Sequence, residues 1–138
     1  MNKILFSFIS ISIFITTLLI NNESRSIKNY QQLIGQWSSE DRSRKVIIDF
    51  LPNYKCNLSV FTSIDTTILT GDVYLDLKKK PVTFSIVKIP NLNHPLHSIL
   101  SKLNKDHLVV SKFSKNWRLR PINFTNDAKI ILKRTKKG

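Results

Sequence analysis

Cysteine occurs once, as Cys56, in a chain of 138 residues. No internal disulfide can form, and no cysteine cluster can hold zinc. Glycine is nearly as scarce: Gly35, Gly71 and Gly138 are the whole complement. That excludes a glycine-rich loop cradling phosphates in the Walker or Rossmann manner. Acidic side chains are also few. Nine Asp and Glu face 22 Lys and Arg, for a formal net charge of +13. What the chain does have is a folding composition: 41% apolar residues, with eight Phe, three Tyr and two Trp, above the range of disordered segments. The length points to one domain.

A charge-free stretch opens the chain. Lys3 precedes Ile4–Ile20, 17 residues without a charge, interrupted only by Ser7, Ser10, Ser12, Thr16 and Thr17. A positive start followed by such a run predicts a secretory signal. The run also reaches the short edge of a bilayer span, so residues 1–26 read either as a signal peptide or as an amino-terminal anchor. Ser24-Arg25-Ser26 offers small residues for cleavage, and no Ala-x-Ala is present. No cysteine follows the run directly, so a lipid-modified terminus is not expected. The expected location is outside the cytoplasm: periplasmic, envelope-associated or secreted. Residues 27–138 remain as the folded domain.

Charge within the chain is uneven. From Met1 to Leu77 seven Lys/Arg balance seven Asp/Glu, whereas from Lys78 to Gly138 fifteen face two, which accounts for the full +13. The carboxy-terminal half therefore carries a cationic surface.

Period-2 alternation dominates after residue 26. Tyr54, Cys56, Leu58 and Val60 share one face of a strand and Lys55, Asn57 and Ser59 the other. Val73, Leu75 and Leu77 alternate with Asp72 and Asp76, and Val82, Phe84 and Ile86 with Thr83 and Ser85. Residues 46–50, 107–113 and 129–133 are further β-branched runs, and turn signals separate the segments at Pro52-Asn53, Lys78-Lys79-Lys80-Pro81, Asn104-Lys105-Asp106 and Asn126-Asp127. Eight or nine strands fit, at about 13 or 14 residues per strand and connection, which suits an antiparallel barrel or sandwich. Crossover helices have no room, so a parallel sheet is excluded. Two segments carry helical spacing. Ile27, Tyr30, Leu33 and Ile34 predict a short lead-in helix, and Leu96, Ile99, Leu100 and Leu103 after Pro95 predict two turns more.

Leu33-Ile34-Gly35-Gln36-Trp37 places a Gly-x-Trp at the first strand. Further on come Gly71-Asp72-Val73-Tyr74-Leu75-Asp76, Lys79-Lys80-Pro81, Asp106-His107-Leu108, Arg120-Pro121-Ile122-Asn123-Phe124 and Leu132-Lys133-Arg134. In this order they resemble the small bacterial lipocalin-like domains of uncharacterised function, over about Leu33 to Arg134. The resemblance implies an all-β, up-and-down antiparallel barrel of about eight strands. It implies that Ser98–Leu103 is a strand in a hairpin through Asn104-Lys105-Asp106, against the helical spacing. It also implies a closed end in which Gly35 allows close approach and Trp37 stacks under an arginine of the last strand, Arg134 or else Arg120. The glycines usual around the Ile99 hairpin are missing, and His94-Pro95-Leu96-His97 stands where a simple loop is usual.

An eight-stranded barrel holds either packed side chains or one small ligand. The inward candidates are Leu58, Val60, Val73, Leu75, Phe84, Ile86 and Val110. They would line a pocket for a small apolar or amphipathic ligand, or fill a solid core. A second reading rests on charge. Lys78, Lys79, Lys80, Arg118, Lys133, Lys136 and Lys137, with Lys112, Lys115 and Arg120 around Trp117, make a surface for polyanions such as lipid headgroups or polysaccharide, or for a protein partner. Stacking of Trp117 among cations suits nucleic acid too, which an exported chain meets less readily. That reading expects Lys78–Lys80, Arg118 and Lys133–Lys137 on one face.

Catalytic constellations are thin. His94, His97 and His107 have no nearby carboxylate except Asp106, too few ligands for a metal. Cys56 sits on an apolar face, where a lone thiol is packing. Asp72 and Asp76 share an outward face, the place of solvated or lysine-paired carboxylates rather than of an acid–base pair. A non-enzymatic protein without cofactor or metal is expected.

Overall fold

The computed structural model describes residues 27–40 and 44–138. The predicted export helix lies outside the described residues. A single 3-10 turn, Tyr30–Gln32, leads into eight strands: β1 Gly35–Glu40, β2 Arg44–Leu51, β3 Lys55–Thr62, β4 Thr66–Asp76, β5 Val82–Val87, β6 Leu96–Asn104, β7 His107–Ser111 and β8 Lys129–Lys137. Each pairs with its neighbour in sequence, and β8 returns to pair with β1, so the antiparallel sheet is a closed barrel. Closure gives every strand a neighbour on both sides, so no strand stands at an edge of the sheet. A second 3-10 turn, Trp117–Leu119, interrupts the long connection from β7 to β8.

The register sorts the connections to two ends. Turns 52–54, 77–81 and 105–106 lie with the start of β1 and the end of β8, while 63–65, 88–95 and 112–128 lie at the opposite end. The first is closed. Gly35 stands at φ 127°, and a side chain there would run into the carbonyl oxygen of Lys136, so only glycine lets β1 begin under the end of β8.

Inward alternation carries the core. Trp37, Phe50, Cys56, Phe84, Ile86, Leu100, Leu108 and Leu132 are all essentially inaccessible to solvent. Aromatic rings run along the barrel as a column: Tyr30 meets Phe50 at 6.2 Å between centroids, Phe50 meets Phe84 at 5.7 Å, and Phe84 meets Phe113 at 5.7 Å. Burying each such side chain contributes about 1.5–3 kcal/mol. The column fills the barrel from the closed end up to Phe113.

Residues 96–104 form strand β6. This is the hairpin strand that the resemblance implies for Ser98–Leu103, and not the helix that the spacing of Leu96, Ile99, Leu100 and Leu103 suggests. Both faces of β6 are covered: Leu100 packs into the barrel, while His97 and Ile99 on the outer wall are also buried. Burial on two faces removes the strict alternation that marks a strand, and the apolar residues that remain mimic helical spacing. The placing of Tyr54 is corrected: it does not share the inner face of Cys56, Leu58 and Val60. It sits in the β2–β3 turn at φ 57°, exposed, with its ring stacked on Tyr30 at 4.4 Å. The Tyr54 carbonyl accepts from Val73 N–H at 2.7 Å, which holds this left-handed conformation in place.

Candidate functional site

The closed end is built around an indole and a guanidinium. Trp37 on β1 is fully buried, and its N–H donates to the Leu33 carbonyl at 2.8 Å. Arg134 on β8 pairs with Trp37 across the β1–β8 seam and lays its Cζ 4.1 Å from the ring centroid. The same guanidinium donates from Nη1 to the Ile34 carbonyl at 2.8 Å and from Nη2 to the Gln32 carbonyl at 2.7 Å, with Nε 4.0 Å from the Asp106 carboxylate. One side chain thus ties the last strand to the lead-in turn. Burial pulls its pKa below the ordinary arginine value, and Asp106 opposes the shift.

Outside this plug lies a hollow of about 840 Å³ lined by the lead-in turn, Tyr54, Lys102, Lys105, Arg134 and Lys137. Burial and the repulsion of Arg134 lower the pKa of Lys102. The hollow is wide and open to water, and its floor is the plug itself.

The open end holds the more enclosed hollow, about 290 Å³. Val46, Leu58, Val60, Phe113, Ala128 and Ile130 form its apolar walls, and Arg44, Lys112, Asp127 and Lys129 stand around it. The floor follows from the aromatic column, which ends at Phe113. This space approaches the smaller end of ligand pockets, about 300 Å³. Three cations against one carboxylate favour a ligand with an anionic head.

The β7–β8 connection also touches the outer wall. Arg120 Nη2 donates to Ser85 Oγ at 2.6 Å and lies 3.0 Å from His97 Nδ1, and Ser85 Oγ lies 2.8 Å from that same nitrogen. Two donors converge on Nδ1, so the unprotonated Nδ1 tautomer fits the network. Burial first, then the Arg120 charge, lowers the His97 pKa below its ordinary 6.5.

The residues singled out from sequence scatter among these places. Leu58 and Val60 line the mouth hollow, whereas Val73, Leu75, Phe84, Ile86 and Val110 belong to the packed core. Gly35, Trp37 and Arg134 meet at the closed end, and Arg120 is at the other, on Ser85 and His97. The cations do not share one face. Lys78–Lys80 occupy the closed-end turn between β4 and β5, across the barrel from Lys136 and Lys137 on β8. Lys133 borders a hollow on the outer wall with His107 and Thr135. Arg118 is at the open end, 5.5 Å from the Trp117 ring.

Histidines 94, 97 and 107 are separate: His94 Nδ1 faces the Pro95 carbonyl and His107 Nδ1 faces Asn104. Among the described residues no group of three His, Cys, Asp or Glu is placed to hold a metal ion. Cys56 is buried, and its thiol is pushed up to about 12 by burial, with Asp49 and Asp72 adding to the shift. Asp72 pairs with Lys55 at 3.1 Å and Lys88 at 3.9 Å on the outer wall.

Sequence reasoning missed Arg44, Val46, Phe113 and Ile130 as neighbours of Leu58 and Val60. They come from β2, the β7–β8 connection and β8, and only barrel closure brings them together. The one usable signal was that residues 46 and 130 belonged to predicted strands with inward apolar positions. Compared with protein-family models, curated proteins and solved structures, the chain finds no match.

Proposed function

We propose that this chain is an exported, non-enzymatic, lipocalin-like binding protein whose open end takes a small amphipathic anion. The observation that carries this reading is the mouth hollow: apolar walls from Val46, Leu58, Val60, Phe113 and Ile130 under three cations, Arg44, Lys112 and Lys129. The apolar body of the ligand rests on Phe113, and the anionic head meets the cations by charge-assisted hydrogen bonds. Only a short ligand fits, because the aromatic column below Phe113 leaves no deep calyx.

Octanoate is the probe, titrated into the full chain and followed by isothermal calorimetry. Saturable binding is expected, about tenfold weaker for Lys112→Glu and lost in Val60→Trp, which fills the hollow, with thermal melts showing both variants folded. Octylamine, the amine of equal chain length, should bind poorly. Equal binding of acid and amine, or unchanged binding by folded Val60→Trp, overturns the reading.

A further inference from the structure

The β7–β8 connection carries a feature that ligand binding in the mouth does not use. Trp117, Leu119 and Ile122 are 64%, 72% and 83% exposed, and Ile64 at the tip of the β3–β4 turn, also at the open end, is 95% exposed. Tyr54 and Tyr74 are also exposed elsewhere on the barrel, but singly; three large apolar side chains left this bare along one connection mark a contact surface. Cations interleave with them: Lys112, Lys115 and Arg118 lie on the same connection, whose one carboxylate is Asp127.

The segment is built, not slack. Asn116 caps its 3-10 turn by accepting from Arg118 N–H at 3.0 Å, Ser114 Oγ donates to the Asn116 carbonyl at 3.0 Å, and Ser114 pairs with His97 through two backbone bonds of 2.8 Å. Arg120 then pins the chain to Ser85 and His97. The apolar side chains are thus presented from a fixed base.

We propose that the open end docks on an anionic lipid bilayer, with Trp117 at the headgroup level, Leu119 and Ile122 in the acyl boundary, and Lys115 and Arg118 on lipid phosphates. Interleaved aromatic, aliphatic and basic residues are the chemistry of an interfacial membrane contact. Basic residues near an anionic surface add attraction that salt weakens. Leu119 and Ile122 argue against a single-stranded nucleic acid, whose bases stack on aromatic rings. The docking stands whether or not the mouth holds a ligand.

Tryptophan emission tests this site by site, because the chain has two Trp and Trp37 is fully buried. The full chain is mixed with phosphatidylglycerol or phosphatidylcholine vesicles, with and without lipids brominated along the acyl chain, and Trp117→Phe supplies the Trp37 baseline. The amino-terminal segment can tether the protein to either vesicle, but only docking of the connection moves Trp117. Expected are a blue shift and bromine quenching of Trp117 by at least about twofold on phosphatidylglycerol and little on phosphatidylcholine. Lys115→Glu with Arg118→Glu should raise the lipid concentration needed by at least about tenfold. Emission unmoved by phosphatidylglycerol, equal quenching by the two lipids, or a Trp117 shift produced by an oligonucleotide and not by vesicles would each overturn the proposal.

Discussion

Arg134 is the most informative single residue to change, because it acts in two ways at the closed end. Replacement by Met removes two charge-assisted bonds to the Ile34 and Gln32 carbonyls, each worth about 1.5–3 kcal/mol. It also removes the stack on Trp37, worth about 0.5–2 kcal/mol. The Arg134 side chain is 13% exposed, which places the stack in the upper half of that range. Methionine restores apolar contact with the indole, and water reaches the freed carbonyl of the half-buried Gln32. A net loss of about 3–5 kcal/mol follows. For a domain of this size each kcal/mol lowers the melting temperature by roughly 4 °C. Urea unfolding followed by circular dichroism measures it. Trp37→Leu completes a double-mutant cycle, in which the shared stack should appear as a coupling of about 1–2 kcal/mol. A coupling below about 0.3 kcal/mol would refute the reasoning, since that is the additivity of distant sites that do not interact.

Two further predictions follow from burial. With its thiol pushed up to about 12, Cys56 should react with a disulfide reagent at pH 8 about a thousandfold more slowly than a free thiol; comparable rates in folded and urea-unfolded protein would show that the residue is not enclosed. His97 has a folded pKa below its unfolded 6.5, so the unfolded chain binds more protons between those two values and stability must fall as pH drops through that window. Urea midpoints across that range should show the loss, and His97→Gln should flatten it; a wild-type curve no steeper than the variant's would remove the buried His97 as its cause.

The strands were legible wherever one face of the sheet meets water. Cys56, Leu58 and Val60 on β3 alternate with polar neighbours that reach water, and Val82, Phe84 and Ile86 on β5 alternate with Thr83 and Ser85, although Ser85 is itself buried, beneath Arg120. The same rule failed at β6, where Ser114 and Arg120 of the β7–β8 connection cover His97, and both His97 and Ile99 on the outer wall are buried along with Leu100. Tyr54 escaped it for another reason: its left-handed turn ends the alternation one residue before β3 begins.

By itself the chain determined that it is all-β, that its amino acids hold no disulfide or phosphate loop, and that its positive charge lies beyond Leu77. Tertiary structure alone decided that the sheet closes, that Arg134 rather than Arg120 covers Trp37, and that the cations divide between two ends. Alternation is a property of neighbouring residues, so a sequence carries it openly. Register is set by pairing between strands far apart in the chain, and one residue of slip exchanges inside for outside. Which cations face one another, and which apolar walls meet at the mouth, therefore follow from closure and not from any local pattern.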